Sequence, residues 1–176
     1  VEYFYRISVN KVKVPYVLSV LGKVVKPHLT FVGSQYYCPQ CFEKLICKKG
    51  FPNKIHFSHK RASNCENETV SLQAAKLLIA RFFYNRSLFC NHVIKKALSC
   101  RDDLMLLRTD LIDTVKIDAR VGSNIYDLCF YKKLEPIFAV ELTTVQKVEV
   151  NKNEPIGIPM IKVALVDILK TSDFIG

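Results

Sequence analysis

Three cysteines and one histidine that fall close together constrain this sequence more than any other feature. Cys38 and Cys41 are separated by Pro-Gln, and His59 and Cys65 complete the spacing C-x2-C-x17-H-x5-C. Two thiolates on a tight turn, with an imidazole and a third thiolate downstream, suit a tetrahedral zinc ion. Because four protein ligands leave no position for water, we expect zinc at such a site to be structural rather than catalytic.

Two alternatives to this ligand set stay open. His56 competes with His59 for the third position, and we favour His59 because it is nearer to Cys65. A redox dithiol is disfavoured, since a C-x-x-C pair of that kind sits where a strand feeds a helix. Here the flanking segments 29–37 and 44–49 are both predicted strands. The other cysteines are predicted to be core residues: Cys47, Cys90, Cys100 and Cys129.

The positive charge of the chain is concentrated in the same third of the sequence. Residues 1–65 carry 11 Lys and Arg against two acids, whereas residues 66–176 carry 15 against 14. Basic side chains gain affinity for phosphates by releasing counterions, and aromatic rings stack on bases. We therefore expect nucleic acid as the partner, a solubilising surface being the alternative. The expected contacts are Lys44, Lys48, Lys49, Lys54, Lys60 and Arg61, interleaved with Tyr36, Tyr37, Phe42, Phe51 and Phe57.

The remaining two-thirds of the sequence indicate one long helix followed by strands. Residues 66–84 show helical apolar spacing, and residues 137–140 form a continuous apolar run typical of a central strand. We predict a mixed α+β sheet flanked by helices, with domains at 1–65 and 66–176. The predicted strands are 91–98, 104–108, 115–121, 125–132, 137–143 and 160–166, with a hairpin turn at 122–124, a loop or crossover at 147–154 and a short helix within 167–175.

Two acids on predicted strands are candidates for a catalytic metal site. Glu141 directly follows the apolar run 137–140, where an uncompensated carboxylate is costly and has to be paired, protonated or metal-bound. Asp118 lies on the alternating strand 115–121, for which an exposed polar face is the alternative. On neighbouring strands these two acids can hold Mg²⁺ or Mn²⁺, which activates water toward a phosphodiester. Asp127 is a second candidate for the first acid.

Taken together, these residues resemble a known family. Cys38-Pro-Gln-Cys41, His56-Phe-Ser-His59 and Cys65 are similar to the N-terminal zinc module of the competence-protein CoiA-like family. In that family an acid-containing helix and a PD-(D/E)xK nuclease core follow the module, and the order of helix 68–84, Lys-Ile-Asp118 and Ala-Val-Glu141-Leu-Thr143 resembles it. The resemblance implies a restriction-endonuclease-like core for residues 66–176 and the activity of a metal-dependent DNA endonuclease.

The resemblance also implies roles for particular residues. Asp118 and Glu141 hold Mg²⁺ or Mn²⁺, Glu68 orients a metal-bound water, and Lys76 matches the lysine that follows the family's helical acid. Thr143 stands where such nucleases carry Lys, or in this branch often Gln, and its hydroxyl supplies no positive charge. Lys76, Lys147 and Lys152 are alternatives for that charge. The alternative functions are an inactive nuclease fold that binds nucleic acid and a zinc-stapled adaptor for other proteins.

Composition and hydropathy indicate an intracellular protein. The chain is 49% hydrophobic and 24% charged, which excludes a disordered or collagen-like polypeptide. No apolar run approaches the roughly 20 residues that span a bilayer, and no signal-peptide pattern is visible. We expect a cytoplasmic protein, or a nuclear one in a eukaryotic or viral setting, without a membrane partner. Phosphate contacts do not distinguish DNA from RNA, and the oligomeric state stays open, with a homodimer as one alternative.

Overall fold

The computed structural model describes residues 14–31, 33–48, 55–61, 63–84, 112–144 and 158–171. Contacts group the chain into two units, Val1–Ala74 and Ala75–Gly176. The predicted strands at 91–98 and 104–108 and the segment 147–154 lie outside the described residues. Within the described ranges, no helix combines the length and the apolar composition that a bilayer span requires.

Short antiparallel strands build the N-terminal unit. Strand β1 is central in a three-stranded sheet, and β4 and β5 form a separate antiparallel pair. The strand predicted over 29–37 is wrong except for its last two residues, because a 3₁₀ turn occupies Pro27–Leu29 and Gly33 adopts a positive φ of 86°. The strands are β1 (Val17–Ser19), β2 (Val24–Val25), β3 (Tyr36–Tyr37), β4 (Leu45–Lys48) and β5 (His56–His59).

The core of this unit is small and includes two of the candidate metal ligands. The rings of Tyr36 and Phe57 meet edge to face with centroids 5.2 Å apart. Cys38 and Cys65 are buried in the same cluster. Cys47 is exposed, so its predicted core position is wrong; a two-stranded sheet leaves part of β4 uncovered. The other members of the cluster are Val14, Val17, Leu45 and Val70.

Among the described residues that follow are two helices and a four-stranded mixed sheet. The sheet has the order β6-β7-β8-β9; the first three strands are antiparallel, and β9 runs parallel to β8, as expected after a crossover connection. The mixed α+β class is confirmed. The elements are α1 (Asn67–Tyr84), β6 (Thr114–Val121), β7 (Asn124–Lys132), β8 (Glu135–Thr143), β9 (Met160–Ala164) and α2 (Leu165–Thr171).

Aromatic packing holds α1 against the sheet in the C-terminal unit. The ring of Phe130 lies 5.6 Å from that of Phe83 and 5.7 Å from that of Phe138, centroid to centroid. Cys129 is buried as predicted, whereas Cys90 and Cys100 lie outside the described residues. The predicted hairpin turn is confirmed at Gly122, whose φ is 61°. Strand β9 is two residues shorter than predicted, because α2 begins at Leu165.

Candidate functional site

The N-terminal unit brings four metal-ligating side chains to one point. The ligand atoms of Cys38, Cys41, His59 and Cys65 all lie within 4.8 Å of one another. The Sγ atoms of Cys38 and Cys65 are 3.9 Å apart, and Cys41 Sγ lies 3.3 Å from His59 Nε2. A tetrahedral zinc ion with Zn–S near 2.3 Å and Zn–N near 2.0 Å needs edges of roughly 3.5–3.8 Å. The donor set and the spacing therefore fit zinc, and the sulfur separation excludes a disulfide.

Backbone hydrogen bonds shape the turn that carries the first two cysteines. The Phe42 N–H donates to the Cys38 carbonyl at 3.0 Å, and the Cys38 N–H donates to the Glu43 carbonyl at 2.9 Å. The chain can close this tightly because Phe42 adopts a left-handed φ of 59°. The Thr69 hydroxyl, in the first turn of α1, donates to Gln40 Oε1 at 2.7 Å. The turn is therefore fixed to the start of the helix that follows Cys65.

The third ligand position falls to His59 rather than His56. His59 is buried at the end of β5 next to the knuckle, where its partner in β4 is Leu45. His56 pairs with Lys48 at the opposite end of the same strand pair. Three residue steps along an extended strand separate the two histidine positions by roughly 10 Å along β5. Cys38, Cys41 and Cys65 therefore share one neighbourhood with His59, and His56 is outside it.

Burial controls the protonation of the thiols at this point. Burial raises the pKa of Cys38 to about 12, and the adjacent Cys41 thiol adds to the effect. Burial also raises the pKa of Cys65. These thiols therefore resist ionisation by themselves, whereas a bound cation favours the thiolate. A metal ion at this site would stabilise the fold, because the buried thiols interact only weakly with one another in its absence.

Lys76 of α1 is the centre of a second cluster, which lies on the sheet of the C-terminal unit. Its Nζ lies 2.5 Å from Asp118 Oδ1 and 2.7 Å from Asp127 Oδ1, and its side chain is only 6% exposed. Burial by itself lowers the pKa of Lys76, but the hydrogen bonds to Asp118 and Asp127 outweigh it, and the pKa is raised. Lys76 is therefore a permanent cation at neutral pH and compensates both carboxylates.

The sheet places Asp127, rather than Asp118, beside Glu141. Strand β7 lies between β6 and β8, so the expectation that Asp118 and Glu141 occupy neighbouring strands is wrong. Leu128 pairs with Val140, and Asp127 and Glu141 are the next residues along these two strands. Asp127 Oδ2 accepts the Leu142 N–H at 2.7 Å and continues the connection where the backbone pairing ends.

Asp118 departs from its strand at the same level of the sheet. The pairs Ile117–Leu128 and Ala119–Tyr126 flank it, and its own φ is 50°, in the left-handed region that Asp tolerates. Its side chain is 55% exposed. Asp118 thus reaches Lys76 from an exposed position, which leaves its second oxygen accessible to solvent.

One cation at this level was not among the expected residues. Lys162 of β9 is the register partner of Glu141, and Ala164 is the partner of Thr143. Paired residues of neighbouring strands project from the same face. Asp118, Asp127 and Glu141 therefore define an acidic row across three strands, and Lys162 lies next to its end on the fourth strand. Lys162 could not be identified from the sequence, because its position opposite Glu141 depends on the register of a parallel strand pair, which local sequence does not determine.

The other expected site residues are less closely grouped. Glu68 is exposed in the first turn of α1, and Thr143 is half-buried at the end of β8. Lys147 and Lys152 lie outside the described residues.

The basic and aromatic residues of the N-terminal unit divide into two groups. Lys44, Lys60 and Arg61 are exposed, Lys48 is half-buried, and Lys49, Lys54 and Phe51 lie outside the described residues. Tyr36 and Phe57 are buried core residues, so the expectation that they are available for stacking is wrong. Tyr37 is half-buried, and Phe42 is exposed.

The N-terminal unit is thus a small β-rich module built around a Cys3His site. Residues 22–68 match the family model described as the competence protein CoiA, N-terminal domain. The resemblance to the CoiA-like family is thus confirmed over residues 22–68. No curated protein matches the chain, and no solved structure matches it.

Proposed function

We propose that this protein is a metal-dependent DNA endonuclease of the PD-(D/E)xK type, in which a structural zinc module helps to bind DNA. The observation that carries the proposal is the acidic row. In it, Asp127 and Glu141 are the next residues beyond the paired Leu128 and Val140 on neighbouring strands. Asp118 adds a third carboxylate at the same level. Lys76 and Lys162 bring only two positive charges to these three carboxylates, and the remaining negative charge favours a bound cation.

The chemistry of the row suits Mg²⁺ or Mn²⁺, which prefer carboxylate oxygens and water. Asp127 and Glu141 would hold the ion, with Asp118 as the accessible further acid. When bound, such an ion supplies a hydroxide nucleophile and neutralises charge on the phosphodiester. The Leu142 N–H fixes the Asp127 carboxylate in place, so that its orientation does not depend on the ion.

Positive charge near the row comes from two described lysines. Lys76 is held between Asp118 and Asp127, and Lys162 lies beside Glu141. Thr143 cannot supply that charge, which we assign to Lys162 as the cation not already shared by two carboxylates. Lys76 orders the two aspartates.

The N-terminal unit contributes binding. Zinc held by Cys38, Cys41, His59 and Cys65 would fold the module and present basic residues to the phosphate backbone. The accessible ones among the described residues are Lys44, Lys60 and Arg61.

Cleavage of labelled single-stranded and duplex DNA with Mn²⁺ or Mg²⁺ tests the proposal. We expect Glu141→Gln and Asp127→Asn each to lower the cleavage rate about a hundredfold or more, because each removes a metal-binding charge. Glu135→Gln is the matched control: Glu135 begins the same strand as Glu141 but lies at its exposed opposite end. Asp118→Asn should have the smallest effect of the three acids in the row.

Retained activity in Glu141→Gln would place the site elsewhere. A parallel assay with RNA of the same sequence decides the sugar preference, and faster cleavage of RNA would contradict the assignment of DNA as the substrate.

A protein that binds nucleic acid without cutting it is the second candidate. The specific observation in its favour is that Lys76 already neutralises two acids of the row, while Thr143 replaces the expected lysine. This function predicts steeply salt-dependent binding, no cleavage with any divalent ion, and no effect of Glu141→Gln on affinity.

A further inference from the structure

The backbone at Phe42 is in a conformation that its side chain disfavours. A φ of 59° is comfortable for glycine, but for a bulky residue it brings Cβ close to the following carbonyl oxygen. The position is fixed by the knuckle hydrogen bonds on both sides, so the chain cannot relax it. Glycine would close the same turn without strain. The aromatic ring at this position is therefore retained at a cost to the fold.

Burial of the ring does not explain this choice. Phe42 is 58% exposed, whereas Tyr36 and Phe57 in the same unit are almost completely buried. A mostly exposed phenyl ring recovers little hydrophobic free energy on folding. Strained residues that persist without a benefit to packing are concentrated at binding sites. The ring is thus available to something outside the described protein.

The charge around Phe42 indicates what that partner is. Lys44 directly precedes the paired residue Leu45, and Lys60 directly follows its partner His59. Both lysines therefore emerge at the end of the β4–β5 pair that carries the knuckle, and Arg61 follows Lys60. Glu43 is the one acid between residues 38 and 61. An exposed apolar ring on the knuckle, with basic residues at the same end of the strand pair, matches an unpaired base with its flanking phosphates.

We propose that Phe42 is a base-stacking residue for single-stranded nucleic acid, with Lys44, Lys60 and Arg61 contacting the adjacent phosphates. This inference rests on the proposed nucleic-acid binding of the protein and adds a preference for unpaired strands. Duplex DNA offers the same phosphates but keeps its bases stacked inside, so the ring gains nothing from it.

Binding of a fluorescently labelled oligonucleotide to the full chain tests the inference, in the single-stranded and the duplex form. The Glu141→Gln background, without added Mg²⁺ or Mn²⁺, prevents cleavage during the measurement. We expect Phe42→Ala and Phe42→Gly to weaken single-strand binding about tenfold or more and duplex binding less than about twofold. Phe42→Tyr should keep both affinities. Leu134→Ala, a change at an even more exposed apolar residue of the other unit, is the control and should alter neither.

The stability of the same variants separates stacking from a structural role. Phe42→Gly should melt a few degrees above Phe42→Ala, because only glycine removes the Cβ that the left-handed backbone disfavours. A ring needed for the fold would make both variants melt well below the wild type and lose zinc. Lys44→Ala combined with Lys60→Ala should flatten the salt dependence of binding, whereas the Phe42 variants leave the slope unchanged because they remove no charge.

The failures are distinguishable. Wild-type protein that binds neither form overturns the proposed nucleic-acid function itself. If all Phe42 variants bind as tightly as the protein that retains Phe42, the stacking role alone is overturned. The same holds if the variants lose affinity equally for single strands and duplex. Either result would then favour a protein partner for the exposed ring.

Discussion

The two units of this chain differ in the interactions available to stabilise them. The N-terminal unit has short strands of two to four residues, and two of its core residues are the candidate ligands Cys38 and Cys65. The C-terminal sheet has three strands of eight or nine residues and buries Phe130 and Leu128 completely. Among the described residues, six of the eight large exposed hydrophobic side chains lie in the N-terminal unit. The N-terminal unit thus places candidate metal ligands in its core, whereas the sheet is stabilised by apolar burial.

The charged groups of the units differ in the same sense. In the N-terminal unit, the metal-ligating atoms of three cysteines and one histidine lie within 4.8 Å of one another. In the C-terminal unit, Lys76 already compensates Asp118 and Asp127. A bound metal would therefore have a different role in each unit. In the first it would complete the fold, and in the second it would join a site that a lysine already holds together.

Removal of the zinc should produce the largest difference between the two units. Structural zinc contributes on the order of 10 kcal/mol in small modules, so Cys38→Ser or a strong chelator should unfold the N-terminal unit. The sheet should retain its protected amides in hydrogen exchange. Cys47→Ser, a change at the exposed cysteine of the same unit, is the matched control and should keep one zinc per chain by atomic spectroscopy. Cooperative folding of the Cys38→Ser variant without zinc would contradict a structural role for the metal.

Substitution of Lys76 should destabilise the C-terminal unit by a smaller amount. Lys76→Met leaves Asp127 and Asp118 facing each other without their cation, and we expect a loss of about 2–3 kcal/mol in the free energy of unfolding, reduced by the exposure of Asp118. Asp127→Asn in the same chain should recover part of it, as a double-mutant cycle by denaturant unfolding can measure. Lys132→Met, on an exposed lysine of β7, should change little. An unchanged stability of Lys76→Met would show that the ion pairs contribute nothing.

The same lysine gives a pH dependence with a defined sign. The folded-state pKa of Lys76 is raised above 10.5, so its contribution is fully present below pH 10.5 and is lost as the pH rises through the folded-state pKa. The difference in the free energy of unfolding between wild type and Lys76→Met, measured by denaturant unfolding, should therefore be constant between pH 7 and about 10. It should decrease at higher pH. A contribution of Lys76 that falls between pH 7 and 9 would contradict the ion pairs.

The smallest expected effect on stability concerns two positions with a left-handed backbone. Gly122 in the β6–β7 turn has a φ of 61°, and no atom lies within 4 Å of where a Cβ would stand. Gly122→Ala should therefore cost about 1 kcal/mol through backbone strain alone, measured by thermal unfolding. Gly122→Asn should cost less, because Asn tolerates this region. Phe42 holds nearly the same φ without being glycine, which is the contrast that its proposed role explains.

Much of the fold and the whole Cys3His cluster follow from local sequence. The spacing C-x2-C-x17-H-x5-C predicted the four residues that meet, because a tight Pro-Gln turn and one strand pair are enough to bring them together. The long helix and the strands β6, β7 and β8 were predicted for the same reason, since periodicity and turn residues act over a few positions. The strand over 29–37 failed because Pro27 and Gly33 redirect the chain between its apolar residues.

Only the tertiary structure decided which acids lie together. The turn after Lys132 pairs it with Glu135, which by counting would set Asp127 opposite Val140; a bulge at Phe130 and Tyr131 shifts the register by one residue. Because side chains alternate along a strand, that single shift decides whether Asp127 meets Glu141 or faces away from it. The approach of Lys76 from α1, the parallel register of Lys162 and the left-handed backbone of Phe42 are decided in the same way, by contacts between segments distant in sequence or by closure of a turn. Local pattern thus fixed the metal ligands of the first unit, whereas strand register, which no local pattern encodes, fixed the acidic row of the second.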